Sequence, residues 1–164
     1  MKSTLILKSG MEKNYVLIGI ACHLKEYRLC WALNEKLGLK LKRIEDLMVS
    51  PEGKRKEENR HPVFHYEEMK RDEQYFLVGN HGPSGELIEK KIHADYLIFI
   101  KDIAVKGGAS LLISEIKKIE HVLTAFKIPL QKDTSLGQVL SDLELHLNEH
   151  NRKEKQKRLS ESKS

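Results

Sequence analysis

Cysteine and aromatic residues are scarce in this chain: of 164 residues two are Cys, and Phe, Trp and Tyr together make up 6%. So few rings exclude a broad base-stacking platform for RNA or single-stranded DNA. Cys22 and Cys30 are read as lying on one helix, about 12 Å apart along its axis, beyond the reach of a disulfide. Reduced, buried thiols fit a cytoplasmic protein. Long apolar runs are missing as well. Nothing approaches the stretch of about 18 residues that suggests a membrane span. The early segment TLILK is too short for the core of a signal peptide, and no small-residue cleavage site follows it.

What is present describes one folded domain. Hydrophobic residues make up 40% and charged residues 32%, and a chain of this length buries roughly 68–70% of its unfolded surface without a disulfide or metal. The net charge of +5 is unevenly placed. In residues 151–164, Arg152, Lys153, Lys155, Lys157, Arg158 and Lys163 stand against Glu154 and Glu161, which puts +4 of the +5 in this segment. Charge without apolar residues predicts a disordered basic tail. Its bland role is solubility, and its functional reading is weak association with nucleic acid or anionic lipid.

Periodicity divides the rest. Residues 4–8 suggest a short strand. Asn14 is a candidate cap for a long helix over 15–37, where Leu17, Ile20, Leu24, Tyr27 and Trp31 recur at helical steps and Gly38 is placed to end it. Strands are expected over 41–48, 63–69 and 75–78, the last two as a hairpin, with a charged loop over 51–60. The run NHGPSGE at 80–86 is dense in turn residues. Residues 96–100 (YLIFI) fit a central strand covered on both faces. A Gly107-Gly108 hinge and a Ser110 cap precede a helix over 111–120, and a strand over 122–128 stops at Pro129. Ser135 and Gln138 have capping-box spacing, and Leu136, Val139, Leu140, Leu143 and Leu147 form an apolar stripe on a last helix. The expected fold is α+β: a largely antiparallel sheet of about five to six strands with a long N-terminal helix and a second helix packed on it, plus a C-terminal amphipathic helix. The units are a compact domain (1–132), the amphipathic helix (133–150) and the tail (151–164).

The stretch YVLIGIACHLKEYRLCWALN at 15–34, Tyr75-Phe76-Leu77-Val78, Asp95-Tyr96 and Val122-Leu123-Thr124-Ala125 resemble the small bacterial IPExxxVDY family over residues 15–128. Ile88, Asp95 and Tyr96 match the naming motif. Glu89, Lys90 and Ala94 replace its proline, glutamate and valine. The resemblance implies this fold and a bacterial cytoplasmic setting, with no activity attached. The missing glutamate favours a structural meaning for the motif, a turn leading into the central strand.

No catalytic constellation is complete. His61 and His65 lie four apart, but on a strand that separates them by about 13 Å, so solvent-facing histidines are preferred to a metal site. His81 and His93 lack a Cys or carboxylate at ligand spacing. Ser114 and Lys117 have S-x-x-K spacing without the companion elements of that machinery. Gly107-Gly108-Ala109-Ser110 matches no phosphate-loop pattern and reads as a hinge. No cofactor or metal is assigned.

The informative cluster is Tyr27, Arg28, Trp31 and Asn34, with Asp95 and Tyr96 as candidate neighbours. The preferred reading buries Trp31 in the core and pairs Arg28 internally with a carboxylate such as Asp95. The functional reading makes this helix a recognition surface for a partner protein or small anion. The leading function is therefore a non-enzymatic cytoplasmic interaction module, with a protein partner or a second copy of the chain docking on the last helix. A ligand-binding or enzymatic site near Arg28, His81 and Asp95 is the second reading, and nucleic-acid association through the tail the third.

Overall fold

The computed structural model describes residues 15–49, 59–88, 92–101, 108–130 and 134–163. The strand expected at 4–8, the Asn14 cap, Gly107 and the side chain of Ser135 lie outside them, as does the expected loop up to residue 58. The chain runs β1 (Tyr15–Cys22), α1 (Glu26–Leu37), β2 (Lys42–Val49), β3 (Asn59–Glu68), β4 (Glu73–Gly79), the two-residue strands β5 (His81–Gly82) and β6 (Gly85–Glu86), β7 (Tyr96–Lys101), α2 (Gly108–Lys117), β8 (Val122–Ile128) and α3 (Thr134–Ser162). Six strands form one sheet in the order β2-β3-β4-β7-β1-β8, with antiparallel neighbours throughout, and β5 and β6 form a small separate hairpin. The α+β class, the antiparallel sheet and the C-terminal helix agree with expectation. The central position of β7, between β4 and β1, does as well.

The long N-terminal helix is corrected. Its first half is strand β1, and only residues from Glu26 onward are helical. The error has a physical source. Both faces of β1 are covered, so its residues are apolar almost without interruption and helical and strand periods cannot be told apart. Tyr15 and Leu17 join the core on one face, while Ile18, Ile20 and Cys22 join it on the other. The β-branched Val16, Ile18 and Ile20 carried the strand signal. Cys22 and Cys30 consequently sit on different elements, although both are free and buried as expected. Gly38 ends α1 in the left-handed conformation (φ 68°), as its position predicted.

Helices cover the sheet on both sides. Leu29, Cys30 and Leu33 of α1 and Ile116 of α2 pack on Ile18, Ile20, Leu77, Ile98 and Ile100. On the opposite face Leu136, Val139, Leu140, Leu143 and Leu147 of α3 pack on Leu17, Val63, Phe76, Leu97 and Phe99. The stripe is therefore used within the chain. Each such side chain contributes about 1.5–3 kcal/mol on burial. The Tyr15 hydroxyl donates to the Glu144 carboxylate. At the far edge, His146 Nε2 meets the Glu45 carbonyl at 2.7 Å, where β2 bulges between Ile44 and Leu47.

The disordered tail is also corrected, since α3 continues to Ser162 with every residue from Asn151 to Lys163 exposed. Helix nucleation is the costly step, and the packed half of α3 has already met that cost. Lys, Glu, Gln and Arg propagate a helix well.

Two close contacts generate predictions. A Cβ built on Gly19 would lie 2.9 Å from the Phe126 ring and from Ile128 Cδ1. Gly19→Val should therefore destabilise the fold by about 1–3 kcal/mol in urea unfolding followed by far-UV circular dichroism. Under α3, His65 packs on the Phe76 ring at 5.0 Å, and His65 Nε2 and His150 Nδ1 are buried without hydrogen-bond partners. Burial, then the proximity of His150, pushes His65 down to about 4. A depressed histidine leaves the fold fully stable above the unfolded value near 6.5. Stability is then lost as the pH falls toward 4, by on the order of 3 kcal/mol once the group is protonated in both states. His65→Phe should flatten the fall in urea midpoint between those pH values, and an unchanged slope would place the acid sensitivity elsewhere.

Candidate functional site

Helix α1 buries Leu29, Cys30 and Leu33, and at 100° per residue Arg28 and Trp31 fall on the side away from that stripe. Trp31 is accordingly 67% exposed and Tyr27 59%. This overturns the reading in which Trp31 fills the core. Arg28 is exposed too, and its guanidinium makes no hydrogen bond or ion pair with any described residue, so it does not pair with Asp95. Beside them runs a groove of 590 Å³, within the range of small binding sites. Leu24, Trp31, Ala32 and Ile119 supply its apolar surface, and Arg28, Glu35, Lys36, Glu120 and His121 complete the lining. His121, at the turn into β8, holds a left-handed backbone (φ 71°), a conformation that few non-glycine residues adopt.

Of the six residues singled out in the sequence, the groove brings together Arg28 and Trp31, with Tyr27 on the same exposed side of α1. Asn34 points elsewhere. Its side chain brackets Leu41, accepting from the Leu41 N–H at 2.9 Å and donating to its carbonyl at 3.1 Å, which fixes the return from α1 to β2.

Asp95 and Tyr96 form a clamp at the start of β7. Asp95 Oδ2 accepts from the Cys22 N–H at 2.8 Å, and the Asp95 N–H donates to the Ile20 carbonyl at 2.8 Å. The Tyr96 hydroxyl donates to the Leu24 carbonyl at 2.5 Å. Together they hold the turn that leads from β1 into α1. Burial raises both the Tyr96 phenol and the Cys22 thiol, which keeps them protonated and unreactive at neutral pH.

His81 does meet Asp95, with Nε2 2.8 Å from Oδ1, and Glu86 lies 3.7 Å from its other nitrogen. Arg28 is not part of this group, so the three residues of the second reading do not share a site. The solvent-facing reading of His61 is corrected: it is fully buried, bonded through Nδ1 to the Gly79 carbonyl (2.8 Å) and through Nε2 to Asn59 Nδ2 (3.0 Å). Accepting from Asn59 requires a neutral ring, and burial lowers its pKa in the same sense. Asn59 also binds the Ser84 N–H and the Gly85 carbonyl. Asn80 binds the Ala94 carbonyl and the Ile88 N–H. These two buried asparagines, which sequence reasoning missed, pin the turn-rich segment to the sheet. Their only sequence signal is an amide standing at the end of an apolar strand. Ser114 and Lys117 are exposed on α2, and among the described residues no three His, Cys, Asp or Glu side chains converge on one point.

No protein-family model matches the chain, and no curated protein matches it.

The geometry separates two substitutions. Arg28→Ala should change unfolding free energy by less than about 0.5 kcal/mol, as for an exposed surface residue. Asp95→Ala should cost about 1–3 kcal/mol by orphaning the Cys22 N–H. Urea titrations of both variants check the contrast.

Proposed function

We propose that the chain is a non-enzymatic binding module that holds a short segment of a partner protein in the groove beside α1. The observation that carries this reading is Trp31, two-thirds exposed beside the groove's apolar side chains and next to Arg28, whose guanidinium has no partner among the described residues. An exposed indole on a groove is the kind of side chain that dominates recognition energy. An arginine with no partner among the described residues suits a carboxylate, which it binds through paired N–H donors. The fitting segment therefore carries a large apolar side chain, seated against Leu24, Ala32 and Ile119, with an Asp or Glu beside it to reach Arg28.

An enzymatic reading has less support. His81 and Asp95 form a close pair, but the nearby Cys22 is buried and its thiol is raised rather than activated. A docked second copy also loses its original motive, because the α3 stripe packs on the chain's own sheet. The resemblance to the IPExxxVDY family belongs to the same proposal, together with a bacterial cytoplasmic setting. The family's closing Asp-Tyr pair corresponds to Asp95 and Tyr96, whose roles here are structural.

Selection of random peptides displayed on phage against the full chain tests the groove. Enriched sequences should pair Leu, Ile, Phe or Trp with Asp or Glu, and should lose binding to Trp31→Ala and Arg28→Ala. Absence of enrichment, or enrichment indifferent to both substitutions, would count against the module.

A further inference from the structure

The half of α3 beyond His150 leaves the sheet, and its charges are sorted around the helix. At 100° per residue, Leu136, Val139, Leu140, Leu143 and Leu147 define the sheet-facing direction, and Glu154 and Glu161 fall on its continuation. Lys157 and Arg158 flank these acids at three or four residues from each, the spacing of helix ion pairs. Arg152, Lys153, Lys155 and Lys163 occupy the opposite half, which from Asn151 onward contains no acid. Lys153 reaches Glu45 at 3.9 Å. Arg152, Lys155 and Lys163 have no partner among the described residues. Every residue from Asn151 to Lys163 is exposed, so apart from Lys153 this basic half stands clear of the described residues of the domain, on a helix about 20 Å long.

We propose that this overhanging basic face docks on the phosphate backbone of double-stranded nucleic acid. The charge is complementary, and a single helix fits a duplex groove about 12 Å wide. An anionic membrane fits less well. Interfacial helices bury a broad apolar face, whereas Leu159 is the one large apolar residue on the exposed segment. Single strands are bound by stacking on aromatic rings, and residues 151–163 contain none. Binding is sequence-independent and sensitive to salt, because it rests on released counterions. It uses a different surface from the groove at Trp31, so the two proposals stand or fall separately.

The test is fluorescence anisotropy of the full chain with a labelled mixed-sequence duplex of about 20 base pairs, between about 50 and 200 mM salt. Three phosphate contacts predict a dissociation constant of about 10⁻⁴–10⁻⁶ M and a log–log salt slope of about −3. Arg152→Gln/Lys155→Gln should weaken binding by roughly tenfold and bring the slope near −1. Lys157→Gln/Arg158→Gln removes the same charge from the other half and should stay within about threefold of wild type. Far-UV circular dichroism on both pairs confirms that the helix is retained. Absence of binding overturns the proposal, as do equal losses in the two pairs. Tighter binding to vesicles containing about 30% phosphatidylserine, or to a single strand of the same length, would overturn it as well.

Discussion

A sheet that is apolar on both sides must be covered twice, and most of this structure follows from that requirement. The two cores have separate lids. One is the pair α1 and α2, and the other is the first half of α3. The strands between them need apolar residues at consecutive positions, as in β1 and β7. The helices then need only one apolar stripe each, and their outer sides are free to carry other chemistry. Trp31 and Arg28 on α1 are a product of that freedom, as is the charge sorting along α3.

The same requirement governs what the sequence revealed. Residues 96–100 announced a doubly covered strand because charged residues bound a short apolar run. The stripe from Leu136 to Leu147 announced α3 because its other side is polar. The run from Tyr15 to Cys22 carried the same double burial as β7 but led directly into a true helix. The helical spacing of Leu17, Ile20 and Leu24 therefore joined two different elements into one. That slip also misplaced Trp31: within a longer imagined helix it continued an apolar face, whereas α1 alone turns it outward. Arg28 and Trp31 were visible as a pair, but the groove beside them was not. It depends on Ile119 and His121, about ninety residues away in sequence.

Polar residues were the harder part to read. Asn59, His61 and Asn80 are buried where the chain leaves or enters strands, and each satisfies backbone groups that a tight turn would otherwise strand. Apart from a polar side chain standing at the end of an apolar strand, nothing in local composition distinguishes such a residue from one in a solvated loop. Asp95 belongs to the same class. Its bonds to β1 give it a mechanical role: it sets the point at which β1 stops and α1 begins.

The exposure of Trp31 has a further consequence, for spectroscopy. It is the chain's single tryptophan, and it sits outside both cores. Its emission in the native protein should already lie near that of a hydrated indole, so loss of the cores will shift it little. Fluorescence will thus be a poor witness to unfolding and a sensitive one to anything that settles over α1, which separates the reporting of stability from the reporting of occupancy in one unmodified chain.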